Sequence, residues 1–429
     1  MNYLIRDVVW SLKADPQSGR RLSIRVRDGR VALISDTLSP EPGEFVFDGR
    51  GACISPGWLD LMARPGAPGN PQNESYLTFS KAAAAGGFTR VMILPDTRPV
   101  LESIESVGFF LGQRPENGIR YLVCAAATTQ LQGKKMAEIL RLREAGASAF
   151  FNSFSPEDAA FQARLLLYMK HGENQLIEIP MDASMSLEGQ MHEGYVSDSR
   201  GLAGIPSVAE WLMIDRNISL LGYTGGKMHL ACLTTPEAVD KVQKARESGL
   251  DVTCSIASSH LAFNHHALDQ FDTVHKVWPP YREEDDRQGL IENLKAGRVD
   301  AVVSLHTPLH YDFKDIEFGH AEFGISNLET SFSTVVTYAG ITDAEALVSL
   351  FYNGPMKILN MPVPGLREGM EANFTIFQPN TDWIPEKKNW QSKSLNNPFL
   401  GMKMKGLVKA VATENGIFSN PHAASIISD

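Results

Sequence analysis

The stretch PGWLDLMARPGAPG, residues 56–69, decides how the rest of the chain is read. An apolar run carries one acid, Asp60, and then breaks into a turn dense in proline and glycine. That is how a buried strand ends in a strand–loop–helix unit. Working outward, short apolar runs recur at 53–59, 89–95, 121–126, 147–151, 176–180, 228–232, 252–256 and 301–305. Helical patterns lie between them, among them MAEILRLREAG (136–146) and TPEAVDKVQKARESG (235–249). In the second, Thr235 is placed to cap a helix that begins at Pro236. Eight strands alternating with helices predict an α/β fold, a TIM-like (β/α)8 barrel over residues 53–364.

Both ends of the chain read as β-structure. In SIRVRDGRVALIS (23–35), Ile24 and Val26 alternate with arginines, and Asp28-Gly29 supplies a two-residue hairpin turn. EANFTIFQP (371–379) reads as a strand and VKAVATENGIFS (408–419) as a hairpin around Asn415-Gly416. Together they predict a small composite β-sandwich domain from residues 1–52 and 365–429. The polar stretch 386–397 reads as a surface loop.

Bulk properties exclude several classes. A net charge of −10 over 429 residues argues against a broad nucleic-acid surface. No apolar run reaches the roughly 18 residues of a membrane span. The first residues, broken by Arg6, Asp7 and Lys13, lack the apolar segment of an export signal. The four cysteines, Cys53, Cys124, Cys232 and Cys254, are dispersed without a CxxC pair, which fits a reduced, cytoplasmic setting.

Barrels of this type build their sites at the C-terminal ends of the strands. The segments there are LDLMARPG (59–66), LPDTRP (94–99), FFNSFSP (150–156), EIPMDASMSLEGQMHEG (178–194), KMHLACLTT (227–235) and DAVVSLHTPLH (300–310). Further segments follow in a fixed order: KAAAAGGFTRV (81–91), GIPSVAE (204–210), KVWPPYREEDDRQGL (276–290), FGISNLET (323–330) and SKSLNNPFLGMKMKG (392–406). Taken in order, these segments resemble the dihydroorotases, cyclic amide hydrolases of the amidohydrolase superfamily, nearly end to end.

The resemblance implies a zinc enzyme in which metal activates a water and an Asp moves the proton. The residues depart from that pattern at position after position. After the first strand, Asp60 fits, but the two metal-binding His positions hold Met62 and Arg64, and the substrate-binding Arg position holds Gly66. The bridging region of the fourth strand holds Phe151, Asn152 and Ser153. The fifth-strand His position is Ile179, with the motif's Asp182 kept; the sixth-strand ligand is Cys232, with His229 kept. The proton-shuttling Asp is Leu305, beside a retained His306. Substrate positions hold Asp96, Trp278 and Leu309. One thiolate does not make a zinc site, and Leu305 cannot carry a proton.

The residual pocket is expected from Asp60, Asp96, Asp182, His229, Cys232, Trp278 and His306, with no resident cofactor. His192, in MHEG, reads as a frame residue, and Glu329 as part of a helix start. The chain resembles a pseudo-dihydroorotase, and that resemblance implies that it is a homodimer whose role is as a structural partner of aspartate carbamoyltransferase. Two other readings stand beside it. One is an active cyclic amidohydrolase, metal-free or with zinc at a relocated site among His260, His265, His266, His306 and His310. The other is a small-molecule-binding module.

Overall fold

The computed structural model describes residues 2–13, 15–156 and 158–426. The apolar runs form eight strands: β1 (Trp58–Ala63), β2 (Phe88–Ile93), β3 (Arg120–Ala126), β4 (Ala149–Asn152), β5 (Leu176–Glu178), β6 (Lys227–Leu230), β7 (Asp251–Ala257) and β8 (Ala301–Val303). Each pairs in parallel with the next. Strands covered on both faces need apolar side chains throughout, and all six residues of β1 are buried. A bridge between Ala63 and His306 joins β1 to the end of β8. There the Arg64 amide donates to the His306 carbonyl at 2.9 Å. This is a TIM-like (β/α)8 barrel. Helix Pro236–Glu247 starts as expected, with Thr235 Oγ1 accepting from the Ala238 amide.

The chain ends join in one further sheet of eight strands. Its order runs Gly416–Ser419, Met404–Thr413, Asn373–Trp383, Cys53–Pro56, Tyr3–Trp10, Arg21–Arg27 and Arg30–Ser35, with Phe45–Asp48 also on Tyr3–Trp10. Asp28 and Gly29 both take positive φ (49° and 73°) between paired Arg27 and Arg30, as a tight hairpin requires. The run read as one strand over 53–59 divides at Gly57: its first half enters the terminal sheet and its second half opens the barrel. A Cβ at Gly57 would lie 1.9 Å from Asn373 Oδ1 and 2.1 Å from Thr89 Oγ1, so the crossing is tight enough to need glycine. Trp58 then packs the two sheets together. Its ring lies 5.0–6.3 Å from Phe88, Phe332, Phe351 and Phe377, and its Nε1 donates to Ser55 Oγ at 3.0 Å. No helix among the described residues is long and apolar enough to cross a membrane.

The polar stretch 386–397 is not a surface loop throughout. Ser392, Ser394, Asn396 and Asn397 are buried. The Glu329 carboxylate accepts from the amides of Gln391 (3.0 Å) and Ser392 (2.8 Å). Glu74, fully buried, accepts from the Lys393 amide at 3.0 Å and from the Ser392 hydroxyl. The polar residues are spent on internal bonds, so composition alone misleads. Burial, with the nearby Glu74 charge, pushes the Glu329 carboxyl up to about 8. A raised folded-state value favours the proton-bearing form. The contribution is full below the ordinary value of 4.5 and is lost as pH rises towards about 8. Glu329→Gln, neutral throughout and still an acceptor for both amides, should therefore gain on the wild type between about pH 5 and about pH 8.5. Urea unfolding at the two pH values should show a relative gain of at least about 1.4 kcal/mol, one pKa unit.

Candidate functional site at the barrel mouth

The C-terminal ends of β1, β6 and β8 converge where a metal centre would stand, and the side chains there are apolar or already engaged. Met62 and Cys232 are buried, with Cys232 Sγ 3.5 Å from Met62 Sδ. Burial pushes the Cys232 thiol well above its usual range, so it carries no thiolate. Cys232 (φ 56°) and Leu305 (φ 49°) both hold left-handed backbone conformations, which L side chains adopt at a cost of about 1–3 kcal/mol each. The strain sits at two positions of the mouth whose side chains are a buried thiol and an aliphatic chain.

Arg64 and Asp96 form an ion pair. The Arg64 guanidinium donates through Nε and Nη2 to Asp96 Oδ2, at 2.7 Å each, and through Nη1 to Thr307 Oγ1 at 3.0 Å. The acid at position 96 is thus neutralised by the base at position 64 rather than left to repel an anion. At Gly66, a Cβ would sit 2.7 Å from the Glu74 amide nitrogen with φ at +72°, so an arginine there needs a different local backbone.

The retained polar residues are turned inward. Asp60 accepts from the Ser304 amide (2.8 Å) and hydroxyl (2.6 Å), and burial raises its carboxyl above the ordinary range. His229 meets Thr253 Oγ1 and Ser255 Oγ, each at 2.9 Å, and burial holds it neutral, its pKa lowered to about 3. His306 Nδ1 accepts from the Asn327 amide at 3.0 Å, which leaves the ring proton of the neutral form on Nε2, 3.7 Å from Glu74. Asp182 caps the short helix Ala183–Ser186, accepting from the Met185 amide at 3.2 Å. Asn152 donates to Glu178 at 3.2 Å and accepts from Thr128 Oγ1 at 2.9 Å. Ile179 and Phe151 are core residues, Ser153 is half-buried, and the Leu309 amide donates to Asn396 Oδ1.

Of the seven residues expected to form the residual pocket, Asp96 and Trp278 line the cavity at the mouth. It measures about 230 Å³ and is walled also by Arg64, Leu305, Thr307 and Phe323. Asp60, His229, Cys232 and His306 are sealed below it, each 1% exposed or less. Sequence reading missed the buried Glu178 carboxylate, which also accepts from Ser155, Gln162 and Asn217. Those partners lie on different elements, so no local spacing signals them. The histidines considered for a relocated metal scatter as well. His260 meets the Pro279 carbonyl, His266 meets Asp269 and His310 meets Asp312. Zinc requires three or four nitrogen, oxygen or sulfur donors around one point. A thioether, an uncharged thiol and an ion-paired guanidinium do not fit it at this mouth. The one group of three metal-capable donors found among the described residues, His192, His265 and Glu283, lies elsewhere.

Comparison with known proteins sets this mouth in context. The family model described as "Dihydro-orotase-like" matches residues 51–238. The chain is 34% identical over 378 residues to a dihydroorotase of Caldanaerobacter subterraneus, covering 87% of this chain and 88% of that one. It is 32% identical over 393 residues to a dihydroorotase of Syntrophus aciditrophicus, covering 90% and 92%. Among solved structures, the L-hydantoinase of Arthrobacter aurescens superposes with a TM-score of 0.84 at 19% identity, over 98% of this chain and 97% of that one. The dihydropyrimidinase of Brevibacillus agri gives 0.81 at 18%, over 99% and 97%, a likeness of fold. These matches correct the expectation that no cofactor accompanies the chain. Dihydroorotases and hydantoinases are typically zinc-dependent, and a mouth that does not fit zinc speaks only for the mouth. With matching strands in order and relatives aligned over nearly nine-tenths of its length or more, the chain belongs to the dihydroorotase family.

Proposed function

We infer that this chain is a dihydroorotase-family protein of pyrimidine biosynthesis that opens no amide ring at its barrel mouth and serves as a structural partner of aspartate carbamoyltransferase. The observation that carries this reading is the mouth itself. Ring opening needs an activated water and a group that moves a proton. The positions for those tasks hold Met62, Cys232 and Leu305, and the nearest charges, Arg64 and Asp96, neutralise each other. A thiol-based route fails for the same reason: Cys232 is protonated and touches a thioether rather than a base. The cavity at the mouth, at about 230 Å³, is below the roughly 300–1,000 Å³ of ordinary ligand pockets, which weighs against a small-molecule module built on the mouth.

A structural role asks for a stable frame and a surface. The frame is retained at the cost of strain at Cys232 and Leu305. On helix Val208–Thr224, Val208 and Leu212 are exposed one turn apart, and Tyr223 is exposed near the far end beyond Asp215 and Ser219, with Leu212 at 50% and Tyr223 at 82%. The partner's identity rests on family resemblance.

Sizing chromatography with mass detection, using aspartate carbamoyltransferase from the same organism, tests this reading. The expected outcome is co-elution at fixed stoichiometry, with the chain alone running as a homodimer. Separate elution at micromolar concentrations contradicts it. If Arg64 and Asp96 are packing rather than chemistry, Arg64→Ala and Asp96→Ala should each cost about 1 kcal/mol or less, as partly exposed pairs do. Both variants should leave co-elution unchanged; loss of the complex on either change would place the mouth in the partner surface.

A further inference from the structure

Away from the mouth, three loops of the barrel's C-terminal face meet at a group of side chains to which the reading of the mouth assigns no chemistry. His192 lies in the short strand Met191–His192, which pairs with Gly204–Ile205 between β5 and β6. His265 lies in the segment after β7, and Glu283 caps helix Glu284–Lys295 ahead of β8. One donor atom from each lies within 4.8 Å of the other two. We propose that His192, His265 and Glu283 bind a divalent transition-metal ion of the zinc class, which fastens these three loops to one another.

Several observations support the assignment. His192 and His265 are each 7% exposed, and His265 Nδ1 is buried without a hydrogen-bond partner. A buried imidazole nitrogen left bare costs about 1–3 kcal/mol, and a metal ion removes that cost. His192 Nε2 lies 3.7 Å from Glu283 Oε1, too far for a hydrogen bond and near the spacing of two ligands on one ion. Glu283 is 55% exposed on its side chain, so the group opens to solvent on that side. Two imidazoles and a carboxylate suit zinc better than magnesium or calcium, which prefer oxygen alone.

Arg282 is the charge that opposes a cation here, and its position allows one. Its Nη1 lies 3.1 Å from His192 Nδ1 and 2.5 Å from the Ile205 carbonyl oxygen. In the metal-bound form His192 carries its proton on Nδ1 and shares that carbonyl with Arg282, since a carbonyl has two lone pairs. Nε2 is then free for the ion, with the ring standing between it and the guanidinium. The fully buried Glu210, held by Thr234 and Thr235, offsets the Arg282 charge from the other side.

The test uses the untagged full-length chain, stripped with chelator and titrated with Zn²⁺ by calorimetry and with Co²⁺ by visible absorption. The expected result is one ion per chain, a cobalt spectrum with nitrogen and oxygen ligation, and a rise in Tm on adding zinc. His265→Gln should abolish binding and Glu283→Gln should weaken it at least tenfold, while Arg64→Ala at the mouth changes nothing. Because Glu283 is exposed, its variant keeps the fold and isolates the ligand role. No zinc uptake by the folded wild type, or wild-type affinity in His265→Gln or Glu283→Gln, overturns the proposal. Neither outcome depends on whether the mouth hydrolyses anything.

Discussion

The structure hangs on the seam that closes the barrel between β1 and β8. Asp60, buried completely, spans it by accepting from the amide and hydroxyl of Ser304. One step further along, the Arg64 amide reaches the His306 carbonyl, and His306 in turn receives the amide of Asn327. A buried carboxylate with two short bonds across a seam is costly to disturb, because removing it leaves polar groups without partners. Asp60 and His306 therefore have structural work that does not require chemistry at the mouth. Their retention beside Met62, Arg64 and Leu305 follows from that.

The same logic separates frame from function elsewhere. Position 232 keeps a left-handed backbone with a cysteine side chain, and position 305 does so with leucine. His229 is retained, and both its nitrogens are taken by hydroxyls of the neighbouring strand β7. Backbone strain and buried hydrogen bonds are properties of the barrel, and they persist after the side chains facing the cavity change. At the cavity, Arg64 and Asp96 each supply the other's counter-charge.

Much of the fold was legible in the sequence because its signals are local. Eight apolar runs separated by helical periods gave the barrel, and the Asp28-Gly29 and Asn415-Gly416 turns gave hairpins of the terminal sheet. The division at Gly57 was not legible, since it depends on how close Asn373 and Thr89 come in space. Nor was the buried course of 386–397, where polar residues bond to Glu74 and Glu329 far away in the chain. At the site, single residues such as Met62, Cys232 and Leu305 can be read from the sequence one by one, but the Arg64–Asp96 pair and the network around Glu178 join distant elements. The expectation of no cofactor was drawn from one set of positions, and it is corrected by the relatives, dihydroorotases and hydantoinases, which are typically zinc-dependent.

The central claim is that the barrel mouth of this family member opens no amide ring. The most direct measurement follows ring opening of dihydroorotate by the purified, untagged chain with zinc supplied, against zinc in buffer alone. The account predicts no conversion above the buffer rate. Conversion above that rate, lost in Cys232→Ala or His306→Ala, would contradict it.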